Sequence, residues 1–313
     1  MKNRKVVTVS SLGFPQLSYP VKHGRDAVKT VMEHLAFQLS FVLPNHPDLI
    51  IFPEACDRYS THTMAERKSY YEYRGDQIRE YLAAVARENR CYIAYSAARL
   101  QADGSYRNTT ELLDREGNTA GSYNKNHCVV TEISDGGILC GKSAPVIETD
   151  FGRVGMVICF DLNFDELRRK YFAQQPDLLL FSSMYHGGLM QNYWAYSVGS
   201  YLVSAVSGEE CAVINPAGEK VSHSTNYSPY LTASINLDFQ QVHLDFNWDK
   251  LKAAKARYGN GVTIFDPGRT GVVLLSSNLP ALSSLEICRE FEIELWRDYY
   301  NRSMAARHAN IEP

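Results

Sequence analysis

The chain has 313 residues, of which 45% are hydrophobic and 21% charged, with a formal net charge of −3. This is the size of one large domain or two ordinary ones and the composition of an ordinary soluble globular protein, with no global field drawing it to nucleic acid or a membrane surface. No apolar run is long enough to span a bilayer. The seven cysteines are odd in number and lack CxxC pairing, which argues against a disulfide framework or a zinc site and fits a reducing cytoplasm.

The first segment, Met1 to Val9, has a basic start but no long apolar stretch. Ser10, Ser11, Gly13 and Pro15 interrupt it, so it reads as a first strand and not as a signal peptide. Residues 24 to 43 place Val28, Val31, Met32, Leu35, Leu39 and Val42 at helical spacing, and Pro44 and Asn45 close that helix. Leu49-Ile50-Ile51-Phe52 is a buried strand stopped by Pro53. Residues 76 to 89 form another helix with Ile78, Leu82, Val85 and Ala86 on one face, and Cys91 to Tyr95 is the next strand. Asn108 to Asn118 suggests a hairpin turning at Arg115-Glu116-Gly117-Asn118.

Val154 to Ile158 is the central strand, and Leu178-Leu179-Leu180-Phe181 repeats its pattern. Gly187-Gly188 opens a loop before a helix expected around Trp194 to Val206. Cys211 to Ile214 and Pro216 to Glu219 form a strand and turn, and Leu231 to Leu237 is a late strand. Apolar strands separated by helices indicate α/β layers with sheets covered on their outer faces. With no Pro/Ser-rich linker and no repeat, residues 1 to 313 read as a single domain with a core to about residue 245.

The segment Asp245 to Pro313 loses the α/β rhythm and reads as an arm or irregular tail with one strand, Gly271 to Leu275. It carries Phe246, Trp248, Phe265, Leu274, Leu275, Phe291 and Trp296. These are too many large apolar groups to leave in water. They are expected to pack across a subunit interface, giving a homodimer or a multiple of one, with packing on the same subunit as the competing arrangement.

Three strand ends carry chemically useful residues. Gly155 to Ile158 runs into Cys159, Phe160 and Asp161, and the charged segment Asp165-Glu166-Leu167-Arg168-Arg169 follows. A cysteine where a strand stops and a helix starts is placed near free N–H groups that lower a thiol pKa, so Cys159 is expected to be a nucleophile. The alternative is a buried structural cysteine. Phe52-Pro53-Glu54 supplies a carboxylate, and Tyr123-Asn124-Lys125-Asn126-His127 supplies an ammonium beside an imidazole. Open α/β sheets collect ligand sites at the carboxyl ends of their strands, so the three could converge. A thiolate can then form an acyl intermediate, a carboxylate can relay protons, and an ammonium with a backbone N–H can stabilise the oxyanion. Taken singly, Lys125 could be a solvated surface lysine, and Glu54 could cap a helix or pair with Arg58.

Taken together, Phe52-Pro53-Glu54, Tyr123 to His127 and Gly155 to Leu167 resemble the nitrilase superfamily, the carbon–nitrogen hydrolases. The resemblance covers roughly residues 5 to 245, including Gly141 and Thr149-Asp150-Phe151-Gly152-Arg153. It maps a Glu–Lys–Cys triad onto Glu54, Lys125 and Cys159. It implies a four-layer α-β-β-α sandwich of the nitrilase type that dimerises, often with a C-terminal arm reaching the partner, and that needs no metal or organic cofactor. The reaction implied is hydrolysis of a non-peptide C–N bond through a cysteine acyl-enzyme, releasing ammonia.

A second glutamate that positions the lysine maps onto Glu132, with Asp135 competing and a loop carboxylate without catalytic role as the alternative. Phe160-Asp161 after the cysteine, where nitrile-cleaving members have Trp-Glu, points to the amidase and carbamoylase branches. Asn163 stands where acid-recognising carbamoylases place an arginine, so a neutral or cationic amide or an N-carbamoyl amine is expected, unless Arg74 or another arginine folds into the site. Besides Phe160 and Asn163, Tyr59, Tyr185, His186 and Trp194 are candidate pocket walls, each equally able to be packing. His127 is expected to orient the lysine loop. The rival readings are a nitrilase acting on a nitrile, a papain-like hydrolase using His127 or His186 as base, and a catalytically silent binding relative.

Overall fold

An uninterrupted apolar strand has two faces to cover, and this chain does so by packing sheet on sheet and helix on sheet. The computed structural model describes residues 6–312, so the basic start Met1 to Lys5 and the terminal Pro313 lie outside the described residues. Two compact units are present, residues 1–235 and 236–313.

The first unit runs β1 (Val6–Leu12), α1 (Gly24–Leu39), β2 (Leu49–Ile51), α2 (Met64–Arg74), α3 (Gln77–Asn89), β3 (Tyr92–Leu100), β4 (Tyr106–Leu113) and β5 (Thr119–Asn124). It continues through α4 (Val130–Ser134), β6 (Val146–Glu148), β7 (Arg153–Ile158), α5 (Asp165–Gln174), β8 (Leu178–Ser183) and α6 (Leu189–Val198). β9 (Tyr201–Val206), β10 (Ala212–Ile214), β11 (Lys220–His223) and β12 (Tyr230–Asn236) complete its strands.

One six-stranded sheet has the order β12-β1-β2-β3-β4-β5, the other β11-β10-β9-β8-β7-β6. β1, β2 and β3 are parallel neighbours, as are β7, β8 and β9. The sheets meet face to face, with β1 and β2 against β9 and β4 against β7. The Ser182 hydroxyl crosses between them to donate to the Phe52 carbonyl at 2.8 Å. Val28, Val31 and Leu35 of α1 and Ile78 and Leu82 of α3 join Ile50 and Ile93 in one core on the outer face of the first sheet. On the second sheet α5 buries Leu167 and Tyr171, and α6 buries Trp194 and Ala195. This is the expected α-β-β-α layering. It places the ends of β2, β5 and β7 at one site.

α6 and α2 differ instructively from the sequence expectation. The helix expected over Trp194 to Val206 stops at Val198, because Gly199 turns left-handed at φ 80° and its N–H closes on the Ala195 carbonyl. The following Tyr-Leu-Val-Ser-Ala-Val stretch joins β8 as the parallel strand β9. α2 was not anticipated, since it buries only Tyr70 and Arg74 and so shows no apolar stripe. The signal available was its capping box, with Thr63 and Glu66 bonding each other's backbone N–H groups.

The second unit contains β13 (Phe239–His243), α7 (Trp248–Tyr258), β14 (Val262–Phe265), β15 (Val272–Ser277), α8 (Ser284–Glu290) and α9 (Trp296–Ala309). Its antiparallel sheet has the order β13-β15-β14. Val242, Leu251, Val262, Val273, Leu275 and Ile287 form a core of its own. The expected irregular arm with one strand is thus a folded α/β piece. Its outer strands are four and five residues long, and they become legible only when β15 supplies both of them with hydrogen bonds. Phe246 remains 88% exposed and Trp248 43%.

α2 is fastened by a buried ion pair. Arg74 donates from Nη1 to Asp57 Oδ2 at 2.5 Å and from Nη2 to the Ala98 carbonyl at 2.6 Å. The Tyr95 hydroxyl donates to the same Asp57 oxygen. Removing one member of such a pair leaves a buried uncompensated charge. Arg74→Met is therefore expected to lower unfolding stability by about 3–5 kcal/mol. A urea midpoint unchanged from wild type would show that the pair is dispensable.

Candidate active site

Glu54 follows the end of β2, and the chain turns sharply there, with Ala55 in the left-handed region at φ 48°. The carboxylate is 3% exposed and fully engaged. Oε1 accepts from Lys125 Nζ at 2.8 Å and from Asn108 Nδ2 at 2.7 Å, and Oε2 accepts from the Met184 backbone N–H at 3.1 Å.

Lys125 follows the end of β5 and is 1% exposed. Its ammonium donates to Glu54 and, at 2.8 Å, to Glu132 Oε2. Glu132 Oε1 accepts from Asn108 Nδ2 at 2.8 Å. Burial opposes the charge on Lys125, but Glu54, Cys159 and Glu132 outweigh it and hold the ammonium well above the usual lysine range. The backbone is pinned as well. Gly141 N–H donates to the Lys125 carbonyl at 2.7 Å, and a Cβ at Gly141 would lie 2.2 Å from the Asn124 carbonyl oxygen. Only glycine lets the two segments approach so closely.

Cys159 directly follows β7, in the left-handed region at φ 50°, a conformation that costs a non-glycine residue about 1–3 kcal/mol and is held by its surroundings. Its thiol shares the cavity with Glu54 and Met184, close enough for both to act on its protonation. Burial pushes the thiol pKa up to about 12, and the Glu54 charge adds to this while Lys125 and Met184 oppose it. The expected lowering by a helix N-terminus does not occur. The turn after the cysteine is a 3-10 helix of only five residues, Cys159–Asn163, and α5 begins only at Asp165. The resting site therefore holds a protonated thiol in the same cavity as the Glu54 carboxylate.

Asp161, wholly buried, joins the lysine loop to the cysteine elbow. It accepts from the Tyr123 hydroxyl at 2.6 Å, the His127 N–H at 2.9 Å and the Ile158 N–H at 3.1 Å. The His127 ring lies between Asp161 Oδ1 at 3.0 Å and Glu166 Oε1 at 2.9 Å, stacked on Phe164 at 3.7 Å. His127 thus orients the loop and stands outside the thiol–carboxylate pair. Partial burial opposes its charge, but Asp161 and Glu166 outweigh this and raise its pKa above 6.5.

Cys159, Glu54, Lys125, Glu132 and Asn108 share one cavity of about 1030 Å³. Its walls come from residues 54–58, α2, the turn between β3 and β4, and the segment 129–138, with Met184 beside the thiol. Glu132 contacts Lys125, whereas Asp135 lies on the exposed rim bonded to Ser134. The expected wall residues lie elsewhere. Tyr59 belongs to the hydrophobic core at 1% exposure. Trp194 is packed in the second sheet's helix layer with Nε1 donating to the Leu162 carbonyl. Phe160 meets Phe164 edge-on. Asn163 donates to the Tyr185 hydroxyl at 3.1 Å, and Tyr185 lies within electrostatic reach of Cys159 and Lys125 without lining the cavity. His186 turns toward Glu210 at 3.8 Å. Asn108, Asp161 and the Met184 amide were not anticipated. The signal for Asn108 was a run of polar residues, Asn108 to Glu111, all buried within a strand. Among the described residues no group of three or more His, Cys, Asp or Glu side chains could hold a metal ion.

Two measurements follow from these charges. Titration of thiolate absorbance, taken as wild type minus Cys159→Ser, is expected to develop near pH 12 and not near 9.0; a midpoint at or below 9.0 would overturn the protonated resting thiol. For His127 the folded-state pKa is raised, so its stabilisation is fully present below 6.5 and lost as pH rises through the raised value. His127→Gln should therefore lower the melting temperature more at about pH 6 than at about pH 8.5. An equal loss at both would contradict the ion-pair role.

Residues 24–241 match the family model described as carbon-nitrogen hydrolase. The omega-amidase NIT2 of Danio rerio is 22% identical over 215 residues, covering 61% of this chain and 77% of that protein. The 2-oxoglutaramate amidase of Bacillus subtilis is 20% identical over 187 residues, covering 59% and 71%. An amidase from Nesterenkonia sp. superposes with a TM-score of 0.65 at 17% identity, covering 74% of this chain and 92% of that one, a likeness of fold. With the family match extending over well above half its length, this chain belongs to the carbon–nitrogen hydrolases of the nitrilase superfamily.

Proposed function

We propose that this protein is an amidase that hydrolyses a small non-peptide amide through a Cys159 acyl-enzyme, with Glu54 as proton relay and Lys125 as oxyanion stabiliser. The observation that carries the reading is the Lys125 ammonium bridging Glu54 and Glu132 in the cavity that holds the Cys159 thiol. The amide names of the relatives favour an amide over a nitrile.

A thiol whose pKa is about 12 is not a preformed thiolate, so the attack needs a base in contact with it. Glu54 takes the thiol proton as Sγ bonds to the carbonyl carbon. The carbonyl oxygen becomes an oxyanion beside Lys125 Nζ and the backbone N–H next to the nucleophile. Glu54 returns the proton to the leaving nitrogen, the C–N bond breaks, ammonia departs and a thioester remains. Water then attacks the thioester, giving its proton to Glu54. The C–S bond breaks, the sulfur recovers that proton, and the acid is released. Lys125 stays an ammonium throughout, because Glu132 still holds it when Glu54 is neutralised. The same reading takes the enzyme as a cytoplasmic homodimer or larger homo-oligomer, supported by the resemblance and by seven free cysteines.

The test is ammonia release from a panel of amides, N-carbamoyl amines and nitriles. Cys159→Ala is expected to abolish turnover with an unchanged circular dichroism spectrum. Glu54→Gln and Lys125→Met should each lower kcat by about 10²-fold or more, the loss typical of a preorganised group. Wild-type rates in Cys159→Ala, or release only from nitriles, would overturn the proposal.

A further inference from the structure

We infer that Arg58 and Arg67 form a carboxylate-binding subsite in the Cys159 cavity, so that the substrate is an amide bearing a carboxylate away from its scissile bond. This rests on the amidase reading and narrows its substrate. Besides Lys125, the cavity wall brings together three cations, Arg58, Arg67 and Lys68. Arg58 is 8% exposed, yet it donates only to neutral groups, the Tyr59 carbonyl at 3.3 Å and the Met184 sulfur at 3.8 Å. Arg67 donates to the Ser60 carbonyl at 3.2 Å and the Met64 sulfur at 3.6 Å, and its buried Nε has no acceptor.

The contrast with other arginines is plain. Arg74, Arg79, Arg99, Arg107 and Arg115 each reach a carboxylate. Arg58 and Arg67 reach none among the described residues, and they are close enough that, after burial, the Arg58 charge is the next cause depressing the Arg67 pKa. Two like charges, one buried and one half-buried, with neutral partners are unfavourable in the empty protein. A carboxylate supplies both the missing acceptors and the missing charge, in the planar geometry a guanidinium matches. The carboxylates already in the cavity do not serve. Glu54 and Glu132 are committed to Lys125 and Asn108, and Glu72 and Asp135 are exposed on the rim.

The position relative to the chemistry is also fixed. Met184 donates its N–H to Glu54 while its sulfur meets Arg58, so the cations stand one residue away from the proton relay. The absence of an arginine at position 163 led to the expectation of a neutral or cationic substrate; the positive charge comes instead from the turn after β2 and from α2.

The experiment compares ammonia release from three amides of similar size: glutaramate, pentanamide and 5-aminopentanamide. kcat/KM should fall in that order, with glutaramate ahead of pentanamide by roughly tenfold to a hundredfold, the range of a charge-assisted pair. Arg58→Met and Arg67→Gln should each reduce this preference, chiefly through KM. Arg67 is only half-buried, so its variant keeps the test available if Arg58→Met fails to fold. Equal rates on the three amides, or a preference that survives in Arg67→Gln, would overturn the subsite. Calorimetry with glutarate on Cys159→Ala separates the two readings, since it needs no turnover. Glutarate binding that is lost in Cys159→Ala/Arg67→Gln upholds the anion subsite even if no amide is cleaved. Absence of binding in Cys159→Ala counts against the subsite even if amides are cleaved.

Discussion

A lysine ammonium held almost completely out of water is the constraint on which the rest of this site depends. An isolated buried charge would be neutralised or expelled, and Lys125 avoids both because two carboxylates stand at 2.8 Å from it. Those carboxylates need partners in turn. Asn108 donates to both of them, and the Met184 amide donates to the second oxygen of Glu54. The result is a polar network satisfied almost entirely from within, which is stiff because each member would be left unpaired if another moved. Burial, together with the Glu54 charge that helps keep Lys125 an ammonium, keeps Cys159 protonated. In the mechanism proposed above, this sets nucleophile and base apart by one proton.

The network has no single segment as its source. Glu54 comes from the end of β2, Lys125 from the end of β5, Asn108 from β4, and Cys159 from the end of β7 in the other sheet. Sheet-on-sheet packing brings these ends together, and Asp161 then fixes the lysine loop to the cysteine elbow. With no exposure to water and four N–H or O–H groups around it, Asp161 acts as a joint between the two layers. Left-handed backbone at Ala55 and Cys159 aims both reactive groups off their strands, a strain that the packed sheets can hold.

The cavity wall shows the limits of reading side chains from local sequence. Tyr59 lies only five residues after Glu54, but the chain turns it into the α1–α3 core. Arg74 and Arg58 look alike in sequence, and the structure separates them by partner. Arg74 is closed on Asp57 and the Ala98 carbonyl, while Arg58 lines the cavity with only neutral hydrogen-bond acceptors. The wall borrows from α2, a helix with almost no apolar face, whose burial is carried by one tyrosine and one ion-paired arginine.

What the sequence determined by itself was the covalent order of the parts: apolar strands long enough to need cover on both faces, breaks at Pro53 and after Ile158, and a glutamate, a lysine and a cysteine each standing at a strand end. These are local matters, set by side-chain periodicity and by backbone propensities within a few residues. The tertiary structure alone decided which polar groups face one another. The choice of Glu132 over Asp135, the places of Asn108 and Asp161, the upward direction of the Cys159 pKa and the lack of a carboxylate on Arg58 and Arg67 among the described residues all depend on burial and on the folded arrangement of partners. The folding of residues 236–313 around their own core is of the same kind, since short strands acquire hydrogen-bond partners only when the chain returns beside itself.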